Sequence, residues 1–446
     1  MIMKELKELL EAHRFQDVKK ELEKCNPVDI AEMLKELDLE EQLIVFRMLN
    51  KDAAAEIFAE MSSNRQKDLI AGFTDQELQT ILNEMGVDDM ADMLEEMPAG
   101  VVQRVLARTD PDMRKEVNQL LQYPEDSAGA IMTTEYISLK EDMTVSEAFA
   151  HIRKVGEDAE DLYTCWVVGK DRILLGVISI REMLLAEQDA KMKDIMDENV
   201  MSVVTTEDQE TAARMFDKYN FTALPVVDNE KRLVGMITVD DAIDTLVEET
   251  NEDFEKMAAM NPKEEDYFDT SVLQHVRNRL PWLLVLMFSS IATGLIITKY
   301  EAAFQAMPLL VALMPMLSDT GGNAGSQTST LIIRGMALGE IKLSDFFKVV
   351  FKESRIALLC GLALGVVNGI RIIIQYHDPI LALIIAITME FTVLAAKLCG
   401  AILPMLAKKL HMDPAIMASP LLTTVVDVCS VFIYFKIASM FLGLHI

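Results

Sequence analysis

The chain has 446 residues, with 42 Lys/Arg against 71 Asp/Glu and a formal charge of −29. That acidity excludes a nucleic-acid binder, which needs a basic face, and 51 % hydrophobic residues exclude a disordered acidic tail. The charge is unevenly placed: residues 281–446 carry 11 Lys/Arg and 9 Asp/Glu, leaving 31 and 62 for residues 1–280. The five cysteines (Cys25, Cys165, Cys360, Cys399, Cys429) form no CxxC and no Cys/His cluster, which excludes a zinc ribbon or a disulfide scaffold.

Met1–Leu10 is charged and amphipathic and lacks the apolar stretch of a cleaved signal peptide. Residues 1–128 read as a helical N domain. Asp29–Leu37, Ala55–Met61 and Asp89–Met97 repeat one pattern, apolar at helical spacing with acids opposite, which predicts a stack of short helices. The many methionines there read as core filler.

Residues 129–250 contain a duplication. Ile131-Met132 is echoed by Ile195-Met196, Gly176-Val177-Ile178-Ser179 by Gly235-Met236-Ile237-Thr238, and Cys165-Trp166-Val167-Val168 by Leu224-Pro225-Val226-Val227. Each unit predicts a short strand, a helix, two apolar strands joined by a charged turn, and a helix. The pair, 129–192 and 193–250, resembles CBS domains, which bind adenosine nucleotides in the cleft between repeats. The resemblance places the hydroxyl and carboxylate near a ribose at Thr238-Val239-Asp240-Asp241 and at Ser179-Ile180-Arg181-Glu182, where Glu182 stands in place of the more usual Asp. It puts a nucleotide near Tyr163, Ser179, Arg181, Glu182, Phe221 and Pro225. Residues 251–278 read as an acidic connecting helix that ends near Pro262.

Residues 279–446 hold five stretches of bilayer length: Trp282–Thr298, Ala306–Ile333, Ile356–Ile374, Ile380–Ala407 and Ala415–Leu444. Arg277 and Arg279, then Arg334, Lys342, Lys348, Lys352 and Arg355, then Lys408 and Lys409 all fall on one side if the N-terminus is cytoplasmic, with Lys299 and Arg371 in the opposite loops. Five spans then leave Leu444-His445-Ile446 outside and the acidic part in the cytosol.

Polar groups at membrane depth mark a pathway. Ser419, Thr423 and Asp427 are spaced i, i+4, i+8 on the fifth span, and Asp319 and Asn323 are four apart on the second, within Ser318-Asp319-Thr320-Gly321-Gly322-Asn323-Ala324-Gly325-Ser326-Gln327. An oxygen-only set suits a hard cation such as Mg²⁺ or Ca²⁺, and Mg²⁺ parts with its water reluctantly, so a hydrated ion is expected. Glu390 and Lys397, seven apart on the fourth span, read as an internal pair or an interfacial device and not as part of the filter. No nucleophile–base pair, HExxH or phosphate loop is present, so an enzyme is not expected.

The whole chain resembles the MgtE family of magnesium channels. The resemblance rests on Tyr123-Pro124-Glu125-Asp126-Ser127-Ala128-Gly129, on Asp319 to Gln327, and on Asp413-Pro414-Ala415 with Pro420 and Asp427. It implies a multidomain α-helical membrane protein of the inner membrane: a cytosolic helical superhelix, an α/β CBS pair, a plug helix and five spans. It further implies a homodimer with one pore along its axis, in which Asp427 is the main ion-attracting carboxylate beside Asn323, Ser419 and Thr423, with Asp319 as an added carboxylate.

Repulsion between two strongly acidic cytosolic parts is screened beyond about 8 Å at physiological salt. Bridging Mg²⁺ then favours a compact form, and the resemblance makes that form the closed one. The bridging candidates are Asp88 and Asp92, Asp208 and Glu210, Asp241 and Asp244, and Glu249, Glu252 and Asp253. By resemblance, ATP strengthens this binding. Two alternatives remain open to the residues: a divalent carrier of wider selectivity (Co²⁺, Mn²⁺), and a CBS sensor that transports nothing.

Overall fold

The computed structural model describes residues 2–157, 159–262, 267, 268, 270–300 and 307–443. The side chains of residues 2–5 and of Ser419 lie outside the description, as do the expected outward tail 444–446 and the first residue of the expected second span, Ala306. The chain forms two compact units, one built on residues up to Glu249 and one on residues from Thr250 onward.

The first unit opens with ten short helices: α1 (Ile2–Glu11), α2 (Phe15–Leu22), α3 (Pro27–Leu34), α4 (Leu39–Phe46), α5 (Lys51–Ala59), α6 (Ser63–Gly72), α7 (Asp75–Leu82), α8 (Val87–Glu95), α9 (Ala99–Arg108) and α10 (Pro111–Leu120). The sequence writes their starts. Asn26 and Asn50 cap α3 and α5, and Asp38/Glu41 and Thr74/Glu77 form reciprocal capping boxes on α4 and α7. Several helices pack on the helix two along (α3 on α5, α5 on α7, α7 on α9, α8 on α10), as a stack of short helices requires. Two buried glutamines repeat one task. Gln42 donates to the Leu34 and Leu37 carbonyls at 2.8 and 3.0 Å, and Gln66 to that of Phe58 at 2.9 Å, satisfying acceptors that helix ends leave open.

Next come β1 (Ser138–Lys140), α11 (Val145–Val155), β2 (Thr164–Val168), β3 (Leu174–Ser179), α12 (Ile180–Leu185) and α13 (Met192–Ile195). The second set is β4 (Val203–Val204), α14 (Gln209–Tyr219), β5 (Ala223–Val227), β6 (Leu233–Thr238) and α15 (Val239–Met257). The sheets β1-β2-β3 and β4-β5-β6 share one topology, with a parallel first pair, an antiparallel second pair and a register shift at the same point, Val167/Val168 and Val226/Val227.

The echoed motifs lock the repeats together crosswise. Thr133 bridges to Met236 in the second sheet, and Asp197 bridges to Val177 in the first. A Cβ at Gly235 would stand 2.5 Å from the Met132 sulfur and 2.8 Å from the Thr133 carbonyl oxygen; one at Gly176 would stand 2.7 Å from both the Met196 sulfur and the Asp197 carbonyl oxygen. Ile-Met and Gly recur together because each methionine lies over the other repeat's glycine.

The second unit holds the end of α15, then α16 (Val272–Ser289), α17 (Ile291–Lys299), α18 (Leu309–Ala337), α19 (Phe346–Tyr376), α20 (Pro379–Lys409) and α21 (Ser419–Leu442). Helices α18, α20 and α21 pack on one another, and α19 packs on α20. Glycines set the closest approaches: a Cβ at Gly400 would collide with the Gly325 carbonyl, and one at Gly365 would stand 2.9 Å from that of Ala386.

The count of five apolar spans is not confirmed. Four stretches among the described residues are long and apolar enough to cross a membrane: Val272–Lys299, Leu343–Tyr376, Pro379–Lys409 and Pro414–Leu442. Helix α18 has 29 residues but is not one of them. Its middle, Ser318 to Thr330, is a run of hydroxyls, amides, glycines and one carboxylate that lowers its hydropathy.

Candidate functional site

Helix α18 has two unlike faces. Leu310, Leu313, Leu317, Gly321, Gly322, Gly325, Thr328, Ser329 and Ile332 are buried against neighbouring helices. Asp319, Asn323, Gln327, Thr330 and Arg334 are exposed, and at 100° per residue they fall on one stripe of the helix. Among the described residues this stripe is left open to solvent.

Helix α21 meets α18 with its own polar residues. The Asp427 carboxylate accepts a hydrogen bond from the Ser318 hydroxyl and lies close enough to Asp319 to feel its charge. One turn away, a Cβ at Gly322 would stand 3.1 Å from the Thr423 methyl, so a missing side chain lets Thr423 close on α18. Both ends of the pair are pinned: Ser329 Oγ donates to the Met417 carbonyl at 3.1 Å, and Tyr434 donates to that of Leu310 at 3.0 Å. The structure thus brings together Asp427, Asp319 and Thr423, with Asn323 on the same stripe as Asp319. The Ser419 side chain lies outside the described residues.

The expected Glu390–Lys397 pair is not the one formed. Lys397 Nζ donates to Thr328 Oγ1 at 3.2 Å, Thr328 Oγ1 donates to Glu353 Oε2 at 3.0 Å, and the ammonium and Glu353 are 4.0 Å apart, all three residues buried. Glu390 instead lies over Gly361 of α19, where a Cβ would stand 2.7 Å from Glu390 Oε2, and that oxygen has no hydrogen-bond partner among the described residues. Glu353 sits between Lys352 and Arg355, and sequence alone files it with the loop charges.

In the first unit a second polar constellation gathers acids from distant parts of the chain. Asp88, Asp89 and Asp92 on α8, Glu60 after α5, Glu160 before β2, and Asp240, Asp241 and Asp244 on α15 are linked, pair by pair, by repulsion between their carboxylates. Burial raises the Asp89, Asp92 and Asp241 carboxyls first of all, and neighbouring carboxylates add to it, to about 7, about 8 and about 7. Asp88 is raised by burial too, against hydrogen bonds from the Asp88 and Asp89 amides and the Thr133 hydroxyl. The charged neighbours that act on these four are all acidic. Asp89 and Asp92 remain exposed to solvent, so they line a crevice that an ion can enter. Among the described residues no three acidic, imidazole or thiol groups are drawn tightly enough together to form a finished metal site.

The other bridging candidates have local partners. Asp208 caps α14 by accepting from the Thr211 amide at 2.9 Å, and Glu210 pairs with Arg214. Glu249 accepts from Gln209 at 2.9 Å, and Glu252 pairs with Lys256 at 2.6 Å. Sequence reasoning missed Glu60, Asp89, Glu160 and Asp240. Of these only Asp89 and Asp240 carried a signal, as neighbours of residues already singled out.

The nucleotide candidates lie on both repeats. Ser179 and Glu182 form a capping box on α12, with Ser179 Oγ donating to Glu182 Oε2 at 2.7 Å, and Thr238 donates to Asp241 at 2.5 Å at the matching place of the second repeat. The Ile180 amide donates to the Tyr163 carbonyl, which brings Tyr163 beside this cap with 79 % of its surface open. Arg181 and Glu182 are exposed, Phe221 stacks on Tyr219, and Pro225 is buried inside β5. An open aromatic ring, a carboxylate and a guanidinium suit a base, a ribose and a phosphate in turn.

Comparison with known proteins matches residues 314–437 to the MgtE divalent cation transporter model, 25–126 to the MgtE intracellular N domain, and 128–189 and 192–248 to the CBS domain. The chain is 36 % identical over 441 residues to the magnesium transporter MgtE of Thermus thermophilus, covering 98 % of each, and 32 % identical over 434 residues to that of Bacillus subtilis, covering 97 % of this chain and 96 % of the other. The cytosolic domain of the Mg²⁺ channel MgtE, crystallised with ATP, superposes with a TM-score of 0.52 at 38 % identity, over 54 % of this chain and 98 % of that one.

Proposed function

The chain belongs to the MgtE family of magnesium transporters, which are membrane proteins and not enzymes, and from that premise we propose that it is a Mg²⁺ channel closed by cytosolic Mg²⁺. The observation that carries the reading is the exposed polar stripe of α18. A carboxylate, two carboxamides, a hydroxyl and a guanidinium on one face of a helix among apolar helices are unaffordable against lipid. The stripe therefore faces water and its own copy in a homodimer, and α18 is a fifth span screened from lipid by its neighbours. The C-terminus then lies outside and the acidic part in the cytosol, in the inner membrane of the cell.

Along such an axis Asp427 and Asp319 supply two carboxylates per subunit, with Asn323, Thr423 and Ser419 beside them. This is oxygen chemistry for a hydrated Mg²⁺, held by hydrogen bonds through its water shell and released because no ligand strips that shell. Uptake runs down the electrochemical gradient. Closure follows from the acidic crevice. Asp88, Asp92, Asp241 and Asp244, with Asp89, Glu60, Glu160 and Asp240, repel until a divalent ion enters, so Mg²⁺ favours the compact form and shifts the population toward it. Asp208, Glu210, Glu249, Glu252 and Asp253 would add further carboxylates for such bridging ions. ATP at Tyr163, Ser179, Arg181, Glu182, Phe221 and Pro225 adds an anion and modulates the Mg²⁺ requirement.

The test is inside-out patch recording with Mg²⁺ as the only permeant cation outside. Unitary currents that close as cytosolic Mg²⁺ rises, and that vanish in a folded Asp427→Asn variant, are expected. Normal currents in that variant overturn the pore assignment. Liposome flux without unitary currents indicates a carrier, and neither flux nor currents indicates a sensor.

A further inference from the structure

Lys256 lies in the last turn of α15, at the start of the second unit. Its ammonium is 2.6 Å from Glu252 Oε1 on the preceding turn and 2.8 Å from Asp413 Oδ2, and its side chain is only 22 % exposed. Burial works against its charge, but the hydrogen bonds to Asp413 and Glu252 outweigh burial and raise its pKa.

Asp413 has both oxygens engaged. Oδ1 accepts from the Ala415 amide at 2.8 Å and caps the Pro414–Met417 turn that leads into α21, while Oδ2 takes Lys256. The Met417 carbonyl at the end of that turn is the one held by Ser329 of α18. A second tie holds the chain beyond α15: Trp282 Nε1 donates to Asn261 Oδ1 at 3.2 Å, and the Asn261 amide donates to the Asn278 carbonyl at 3.2 Å. The end of α15 is therefore joined, through one ammonium and one carboxylate, to the turn that leads into α21 and is held to α18 at Ser329.

We propose that Lys256 is a positioning residue for closing: its tethered ammonium occupies the place between Glu252 and Asp413 that a free divalent cation would otherwise have to fill, so the end of α15 grips the start of α21 without Mg²⁺. The inference rests on the channel reading and specifies its regulation. Removing the ammonium leaves two carboxylates that had approached one common point. They repel, or they take up a divalent ion, and hard cations favour such an oxygen pair.

The experiment compares the full-length wild type with Lys256→Gln and Lys256→Arg by inside-out patch recording and by hydrogen exchange. In Lys256→Gln the grip becomes Mg²⁺-dependent. The half-closing Mg²⁺ concentration rises about three- to tenfold, as expected for one partly screened charged contact, and the closing curve steepens. The currents at zero cytosolic Mg²⁺ keep their size and selectivity, and Lys256→Arg restores wild-type closing. In exchange, wild-type amides around Ala415 are protected without Mg²⁺, whereas those of Lys256→Gln are protected only with it. A half-closing concentration within twofold of wild type, or Ala415 protection in Lys256→Gln that ignores Mg²⁺, overturns the proposal. A wild type that passes no Mg²⁺ overturns the channel reading instead, and the exchange measurement still decides the role of Lys256.

Discussion

Proton release on Mg²⁺ binding follows from the acidic crevice. Carboxyls titrating at about 7 (Asp89), about 8 (Asp92) and about 7 (Asp241), taken as independent, hold about two protons at pH 7. Mutual repulsion spreads their loss over a wider range, and the solvent access of Asp89 and Asp92 tempers the shifts, so the expected release at pH 7 is about one to two protons. The sign is fixed by linkage. These carboxyls are raised above their unfolded value of 3.8, so between about pH 4 and 8 the folded form holds protons that the unfolded chain has lost. The stability they lend is present at low pH and disappears as pH rises through 7 to 8. Mg²⁺ competes with the same protons, so its binding tightens over the range where metal-free stability falls. From pH 6.5 to 7.5 the half-closing Mg²⁺ concentration should drop about tenfold, and in Asp92→Asn by only about threefold. Calorimetry of the full chain in two buffers of different ionisation enthalpy counts the protons directly. Release below about 0.3 proton, or closure independent of pH over this range, would refute the reasoning.

Two further outcomes are expected. Gly235→Ala forces a Cβ against the Met132 sulfur and a fixed backbone carbonyl. Overpacking of this kind costs about 1–3 kcal/mol, which should lower the melting temperature of the cytosolic part by about 3–10 °C; unchanged melting by differential scanning fluorimetry would show that the crossed contact has room to relax. Lys397→Met strands the buried Glu353 carboxylate and should cost about 3–5 kcal/mol, whereas Lys397→Met with Glu353→Leu should recover most of it. Detergent melting curves that rank the double variant below the single one would remove the pair from the account of helix packing.

How far the sequence reaches depends on how local each feature is. The capping boxes and the duplicated strands are legible because their signals lie within a few residues. Even the crossed pairing has a trace, since Met132 and Gly235 recur as Met196 and Gly176, but the exchange between repeats is a tertiary fact. Helix α18 stands out by its glycines and amides, and the same residues keep it below the hydropathy of a lone span. Asp88, Asp92 and Asp241 show themselves by spacing, while Glu60 and Glu160 join them only because the helical stack brings α5 and α8 to α15. For Asp208 and Glu210 the nearest physics decides: a helix start and an i, i+4 arginine claim them. Lys397 finds Glu353 rather than Glu390 because helix phase on two packed helices, not spacing along one, selects a partner.

The crossed pairing of the two repeats also dictates an order of events during synthesis. The segment carrying Met132 and Thr133 leaves the ribosome first, yet its strand partner, Met236, is made about a hundred residues later. At roughly 5–20 residues per second that is a wait of about 5–20 s, with the Met132 side chain unsheltered. The first sheet waits in the same way for Asp197. Neither repeat can therefore reach its final form as a nascent unit. The pair must close in one late step, after α15 has emerged, and a chain cut between the repeats should yield two sticky fragments instead of two domains.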